Sequence, residues 1–381
     1  MNNRITAIDS LRGLIILLMI LGHSRYAFSP LTFDAIELGL GSTGLYLTRV
    51  MTNMCAPIFF LLSGMGIYLL VRNYNNVSLA SKDLLKRGML LICLDLFYVS
   101  WILMWPSSYY MFFFSVLWAL GVSMLILSVL IRIPIAWIFG IAVCVIVGHN
   151  AVDGVINFTY QETVGSFMLM LLHATANHIE LHPYIKVAFS YAIIPWFAVM
   201  LLGYSLAHYL LAPTITPVKR QQLLIYIGLG LLCLFFLLRT VIGYGDAVNW
   251  SWQGDNPLYS LLYLFKITKY PPSFQYLCLA LGVGCLLLAM FDKWESLGKY
   301  FRVYGQAALF LYIIHLPVLA LTSSALQLIV FGHSLPQADV MAIPLPWIYL
   351  IWLSLLPGFY FACKWYRPVK MKHKDTFLKY I

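Results

Sequence analysis

The sequence predicts an all-α integral membrane protein, a polytopic helix bundle with about ten transmembrane helices. Three observations support this class. Of the 381 residues, 62% are hydrophobic and only 10% are charged, whereas soluble domains are about half apolar and a quarter charged. Apolar runs long enough to cross a bilayer recur along the chain, and aromatic residues, which favour membrane interfaces, make up 16% of it. A water-soluble enzyme and a disordered chain are therefore excluded.

Each predicted span is an apolar run near the length of about 20 residues that a bilayer requires. In chain order they cover 8–27, 50–71, 88–105, 111–131, 134–149, 186–210, 222–242, 273–291, 305–324 and 343–363. We expect the first run to stay in the protein as a helix, because Arg12 abuts it and no small-residue cleavage site follows. No linker or repeat interrupts the series, so we expect a single transmembrane domain over residues 1–381.

The basic residues set the predicted orientation. If the N-terminus is cytoplasmic, three quarters of the 24 lysines and arginines fall in cytoplasmic segments, as the positive-inside rule requires. This asymmetry predicts a multi-pass integral protein with both termini in the cytoplasm, as in a bacterial inner membrane. The net charge of +10 is spread between apolar runs, so we expect the lipid bilayer as a partner and no nucleic acid.

The first span carries three ionisable residues, Asp9, Arg12 and His23, and such residues are costly inside a bilayer. Asp9 and Arg12 share a helix face. Arg12 and His23 are separated by about 20° beyond three full turns and by roughly 16 Å along the axis. One face therefore carries an ion pair at the inner end and an imidazole at the outer end. The structural alternative is a snorkelling Arg12 capped by Asp9, with His23 bonded to a neighbouring carbonyl.

Three further ionisable side chains, Asp95, Arg239 and His315, fall within predicted spans. Asp95 is expected to be paired, hydrogen-bonded or protonated, either in a functional site or as a polar link between helices. His315 precedes Pro317 by two residues and is either a second site histidine or a hydrogen-bonded core histidine. Arg239, near the outer end of its span, is able to snorkel to the interface.

We expect no metal site. The seven cysteines lie in apolar runs and form no CxxC pair, so they are interpreted as small core hydrophobes. Four histidines on the long outer segment 148–185 lack metal-ligand spacing. They are interpreted as solvated loop residues: His149, His173, His178 and His182.

The first span has a basic residue, Arg12, at its predicted inner end and an imidazole, His23, at its predicted outer end, on one polar face. We expect such a face to bind a long donor molecule with an anionic end. Coenzyme A carries phosphates at one end and a pantetheine arm whose reach is comparable with the distance from Arg12 to His23. A neutral imidazole either accepts a proton from an acceptor hydroxyl or amine, or attacks the thioester itself. The hypothesis is that cytosolic acetyl-coenzyme A serves an acceptor on the outer side.

Several motifs carry a family resemblance over nearly the whole chain. In order they are Arg4-Ile-Thr-Ala-Ile-Asp9-Ser-Leu-Arg12-Gly13 leading to His23, Leu47-Thr-Arg49-Val-Met-Thr-Asn53-Met-Cys55-Ala-Pro57, Lys86-Arg87-Gly88 leading to Asp95, Leu117-Trp118-Ala-Leu-Gly121, Ile194-Pro195-Trp196, Lys269-Tyr270-Pro271-Pro272 and Phe310-Leu-Tyr312-Ile-Ile-His315-Leu-Pro317. This set resembles the heparan-α-glucosaminide N-acetyltransferase-like family. The wider transmembrane acyltransferase superfamily shares an arginine and a histidine separated by ten residues.

The resemblance implies an acyl-CoA-dependent transmembrane acetyltransferase with acetyl-coenzyme A as donor substrate and an extracytoplasmic sugar or glycan as acceptor, through an amine or a hydroxyl. It implies catalytic roles for His23, Asn53 and His315. It places the donor among Asp9, Arg12, Lys86, Arg87 and Asp95. Direct transfer and an acetyl-histidine intermediate both remain open, and the sequence is compatible with a homo-oligomer.

One departure from the family concerns His23. In the animal enzymes the corresponding first-helix position is typically asparagine, and the histidine assigned to catalysis comes later in the chain. Residues 24–148 contain no histidine here. The catalytic role therefore either belongs to His23 or has moved to another residue. The acceptor is then also open to differ from that of the animal enzymes.

The rival interpretation is a secondary transporter or exporter of a small polar solute, with Asp95, Arg239 and His315 as a proton relay. Transporters of this kind often show matching broken spans in the two halves of the chain, and no such pair is evident. A membrane protein without chemistry is the third interpretation, and the aligned polar face of the first span argues against it.

Overall fold

The computed structural model describes residues 5–29, 43–74, 76–104, 110–153, 164–173, 176–182, 184–252, 254, 257–332, 343–373 and 376–380. These residues are mostly helical, which confirms the predicted class of a polytopic helix bundle. The α-helices are α1 (Thr6–Phe28), α2 (Thr43–Asn53), α3 (Cys55–Arg72), α4 (Val77–Cys93), α5 (Ser100–Met104), α6 (Val116–Leu130), α7 (Ile135–Gly148), α8 (Val164–Leu172), α9 (Ile193–Leu210), α10 (Pro217–Leu237), α11 (Pro257–Tyr263), α12 (Phe274–Lys293), α13 (Phe301–Gln306), α14 (Ala308–Phe331) and α15 (Leu345–Lys372). Short π or 3₁₀ turns occupy Leu94–Val99, His149–Val152, Leu238–Ile242 and Phe377–Tyr380.

Eight helical segments within the described residues are long and apolar enough to cross a membrane, fewer than the ten predicted. They are Thr6–Phe28, Thr43–Arg72, Ile135–Val152, Ile193–Leu210, Pro217–Ile242, Phe274–Lys293, Ala308–Phe331 and Leu345–Lys372. The two predicted spans outside this set are 88–105 and 111–131. The first falls on the helical run from α4 to α5, which begins eleven residues earlier in a polar stretch. The second fails because α6 has 15 residues, which rise about 22 Å against a hydrocarbon core of about 30 Å.

A small three-stranded sheet, which the sequence analysis did not predict, accompanies the helices. Strands β1 (Tyr110–Phe114), β2 (Ala176–His182) and β3 (Ile185–Phe189) are arranged in the order β1-β3-β2, with β1 parallel and β2 antiparallel to β3. Aromatic and β-branched residues favour extended backbone. The predicted spans 111–131 and 186–210 therefore begin in strands, because an apolar run alone does not distinguish a short buried strand from the start of a helix.

The described residues divide into two compact units. The first comprises residues 1–55, 102–108 and 291–381, and the second comprises residues 56–101 and 109–290. In the first unit, α1 packs directly on α13. A Cβ atom on Gly13 would stand 1.8 Å from the carbonyl oxygen of Phe301, and one on Gly305 would stand 1.8 Å from that of Asp9. These helices therefore meet backbone to backbone, a contact that small residues permit inside membranes.

In the second unit, α3 and α9 approach each other in the same way. A Cβ atom on Gly64 would stand 2.0 Å from the carbonyl oxygen of Met200, and one on Gly203 would stand 2.1 Å from that of Leu61. The glycines sit on opposite helices, so each removes a side chain where the other backbone passes. Glycine is required at these positions by the close approach of the helices.

We predict that Gly203→Ala lowers the free energy of unfolding by about 1–3 kcal/mol, because a methyl group cannot fit against the Leu61 carbonyl without moving a helix. Gly140→Ala is the matched control, since a Cβ atom at Gly140 meets nothing within 4 Å. The control should be neutral or stabilising, because alanine is the better helix former. Thermal unfolding in detergent measures both, and equal effects of the two variants would contradict the packing explanation.

Candidate active site

Two histidines form the centre of the candidate site, one on α1 and one on α14 of the first unit. Nδ1 of His23 lies 2.7 Å from Nε2 of His315. The ring centroids are 5.0 Å apart and the ring planes differ by 17°. Nearly parallel rings whose facing nitrogens are this much closer than their centroids meet edge to edge, as an in-plane hydrogen bond requires, rather than face to face. His315 is fully buried and His23 is half-buried.

The backbone of α14 restricts the tautomer of this pair. Nδ1 of His315 lies 3.2 Å from the carbonyl oxygen of Leu311, one turn earlier, and a carbonyl oxygen only accepts hydrogen bonds. A neutral His315 that donates from Nδ1 has its lone pair on Nε2. That nitrogen then accepts the Nδ1 proton of His23, so the lone pair of His23 is on its own Nε2.

The N-terminal end of α1 carries the second part of the predicted site. Nη1 of Arg12 lies 3.2 Å from Oδ1 of the buried Asp9, so the predicted ion pair is present on one helix face. Ser10 donates from its hydroxyl to the carbonyl oxygen of Gly298 at 3.2 Å. The polar start of α1 is thus held against the chain that leads into α13.

Asn53 is the last residue of α2, a helix that packs beside α1 near His23. A Cβ atom on Gly22 would stand 3.3 Å from Cβ of Thr52, so the residues adjacent to His23 and Asn53 face each other. The structure therefore brings His23 and His315 into contact and holds the Asn53 end of α2 close to the His23 end of α1.

The remaining predicted donor residues belong to the second unit, on α4 and the π-helical turn after it. Lys86 is exposed, and Nε of Arg87 lies 3.9 Å from a carboxylate oxygen of Asp83. Asp95 is fully buried. Its carboxylate accepts hydrogen bonds from the backbone and hydroxyl of Ser115, at 2.8 and 2.6 Å, and from the backbone of Trp118 at 2.9 Å.

This geometry favours a structural role for Asp95. Ser115 is the residue that precedes α6, and the first N–H groups of a helix have no partner within the helix. A carboxylate satisfies them and is stabilised by the helix dipole. Asp95 therefore caps α6 from a neighbouring helix, so that its three hydrogen bonds compensate the cost of burying a carboxylate.

The expectation of solvated loop histidines is wrong for His149 and His173, which are both buried in the second unit. Nε2 of His149 lies 2.8 Å from the carbonyl oxygen of Pro272, and Nε2 of His173 lies 2.6 Å from Oδ1 of Asp153. Sequence reasoning missed these contacts because their partners are distant in the chain. His182 is exposed, as expected, and the side chain of His178 lies outside the described part of the chain.

Arg239 does not snorkel; it is buried. Its guanidinium donates to the carbonyl oxygens of Leu264, Tyr263 and Lys266, at 3.0, 3.0 and 2.6 Å, and to that of Val248. Backbone carbonyls of the loop are thus its partners, as expected of an arginine that ties a loop to a helix. Among the described residues, no group of three or more histidine, cysteine or acidic side chains is placed to hold a metal ion.

Fold and site together define a multi-pass helical membrane protein with a hydrogen-bonded histidine pair on its first and fourteenth helices. A family model described as heparan-alpha-glucosaminide N-acetyltransferase, catalytic, matches residues 4–239. The chain belongs to this family of membrane acetyltransferases, which confirms the resemblance seen in the motifs. The family uses acetyl-coenzyme A. A comparison with curated proteins found no match.

We predict that Asp95→Asn lowers the free energy of unfolding by about 1–3 kcal/mol, because an amide cannot accept all three hydrogen bonds and leaves a buried donor unpaired. Ser115→Ala is the control. It removes the hydroxyl and keeps the backbone bonds, so it should cost less. Thermal unfolding ranks the two variants, and a donor-binding role for Asp95 would instead appear as weakened coenzyme A binding in a protein of unchanged stability.

Proposed function

We propose that this protein transfers an acetyl group from acetyl-coenzyme A, bound from the cytoplasm, to an amine or hydroxyl of a sugar or glycan on the other side of the membrane. The family supports the acetyl chemistry and the donor. The predicted orientation of the basic residues supports the direction of transfer. Both termini are then cytoplasmic, so Arg12 is near the inner face and His23 near the outer one.

The hydrogen bond between His23 and His315 carries the proposal. The tautomer fixed by Leu311 puts the lone pair of His23 on Nε2. This nitrogen accepts a proton from the acceptor as its amine or hydroxyl attacks the thioester carbonyl, and His315 stabilises the imidazolium that results. A positioned general base contributes typically 10²–10⁴-fold to the rate.

The reaction with an amine balances without another reactant. An ammonium acceptor loses one proton to His23 and becomes a nucleophile. The C–N bond then forms, the C–S bond breaks, and the second amine proton is transferred to the leaving thiolate. The products are the amide, free coenzyme A and one proton bound to His23, which is released before the next turnover.

Nε2 of His23 also suits direct attack on the thioester, which would produce an acetyl-histidine. The two routes differ in what happens when the acceptor is withheld. Incubation with radiolabelled acetyl-coenzyme A alone labels the protein at His23 if the covalent route operates. It leaves the protein unlabelled if the acceptor attacks the thioester directly.

Inside-out vesicles that contain the protein test the overall reaction. Radiolabelled acetyl-coenzyme A is added outside, which is the cytoplasmic face, and glucosamine or a short glucosamine-terminated glycan is enclosed as acceptor. We expect the label on the enclosed acceptor. Movement of unmodified acceptor across the membrane, without acetylation, would instead establish the transporter interpretation.

We predict that His23→Ala lowers the rate of transfer at least 100-fold, because it removes the proton-accepting nitrogen. His315→Ala should lower kcat roughly as much, whereas His315→Gln should recover part of the rate, because the amide oxygen still accepts the Nδ1 proton of His23. The measurement is kcat in proteoliposomes, with coenzyme A binding and thermal unfolding as controls. Full activity of His315→Ala would show that the hydrogen bond between the two histidines has no part in the chemistry.

A further inference from the structure

The segment between α12 and α14 packs on the polar inner end of α1, although its sequence predicts an ordinary cytoplasmic loop. Gly13 and Gly305 allow the backbones of α1 and α13 to touch. Ser10 bonds to Gly298 at the start of the segment. Arg12 immediately precedes Gly13, and Arg302 immediately follows Phe301, the residue that Gly13 contacts. The Asp9–Arg12 pair and α13 therefore form one surface of the first unit.

Two side chains of α13 have buried polar atoms without a hydrogen-bond partner in the part of the chain that the structure describes. They are Nε of Arg302, a donor, and Oε1 of Gln306, an acceptor. The guanidinium of Arg302 has a long contact from Nη2 to the carbonyl oxygen of Glu295, at 3.4 Å. A buried donor or acceptor without a partner costs folding free energy and calls for an explanation.

The two atoms are complementary to a ligand that has both an anionic oxygen and an N–H group. A guanidinium N–H donates well to a phosphate oxygen, and the exposed Lys299 stands three residues before Arg302 in the chain. An amide oxygen accepts from an amide N–H or from an exocyclic amino group. The phosphates, the pantetheine amides and the adenine amino group of coenzyme A supply these partners on one molecule.

We propose that Arg302 and Gln306 bind the acyl donor, Arg302 through a phosphate oxygen and Gln306 through an amide N–H of the pantetheine arm. The inference rests on the proposed function, because it takes acetyl-coenzyme A as the donor. Both residues lie beyond the family match, which ends at residue 239. α13 thus adds a second wall to the donor site that begins at Arg12.

Binding of coenzyme A and of pantetheine to the full-length protein in a maltoside detergent tests the assignment. Arg302→Gln should weaken coenzyme A binding roughly tenfold, the effect of losing one charge-assisted hydrogen bond. It should leave pantetheine binding unchanged, because pantetheine has no phosphate. Gln306→Met should weaken the binding of both ligands. The affinity of Arg302→Lys for coenzyme A should lie between those of Arg302→Gln and the wild type.

Arg367→Gln is the matched control, since Arg367 is an exposed arginine on α15 of the same unit. It removes the same charge and should bind both ligands as the wild type does. Thermal unfolding checks that each variant is folded. If Arg302→Gln does not fold, Arg302→Lys and Gln306→Met decide the question by the same comparison.

A phosphate on an anionic lipid headgroup offers Arg302 the same chemistry as the donor. Nanodiscs with and without phosphatidylglycerol distinguish the two sources. If Arg302→Gln no longer retains bound phosphatidylglycerol but binds coenzyme A as the wild type does, Arg302 belongs to a lipid site and the inference is overturned. If wild type and Arg302→Gln bind coenzyme A equally while the wild type transfers acetyl groups, this inference alone fails. If the wild type binds no coenzyme A, the proposed function fails with it.

Discussion

The hydrogen bond between His23 and His315 is the interaction on which the candidate site depends. It joins α1 to α14 inside the bundle, where His315 is fully buried and where a hydrogen bond is stronger than in water. A second bond, from the hydroxyl of Ser323 to the carbonyl oxygen of Ala27, joins the same two helices closer to their C-terminal ends. With two points of attachment, α1 cannot rotate to turn its imidazole away from α14 without leaving polar groups unpaired.

The N-terminal end of the same helix is fixed by close backbone packing. Gly13 and Gly305 allow the α1 and α13 backbones to touch. Inside a bilayer the hydrophobic effect does not drive helices together, so the dispersion energy of such close contacts stabilises the pair instead. The C-terminal end of α1 is thus oriented by hydrogen bonds, and its N-terminal end is placed by close packing. Because both ends of α1 are held, the distance along α1 from Arg12 to His23 is fixed. This distance is comparable with the length of a pantetheine arm.

The sequence predicts the helical membrane class and the polar face of α1, because hydropathy and a periodicity of 3.6 residues are local properties. The hydrogen-bond partner of His23, in contrast, is not a local property, because it lies 292 residues further along the chain. The sequence offers a neighbouring carbonyl as the structural partner of His23 and leaves His315 as either a site or a core histidine, and only the packing of α14 on α1 pairs the two rings. The packing of α13 on α1 is not predictable from the sequence for a related reason: nothing local to Gly13 or Gly305 shows that the two backbones meet there.

The family match covers only one of the two paired histidines. Residues 4–239 include His23, whereas His315 lies outside them. In the proposed mechanism, the proton-accepting group is therefore completed by a part of the chain that the match does not cover. A member of the family with asparagine in place of His23 keeps a side chain that is able to hydrogen-bond to a histidine, but an amide does not take up a proton near neutral pH. In such a protein the base must be another residue. In this chain, the bond between His315 and Leu311 fixes a tautomer whose lone pair is on His23, which accounts for a histidine at that position without requiring one among residues 24–148.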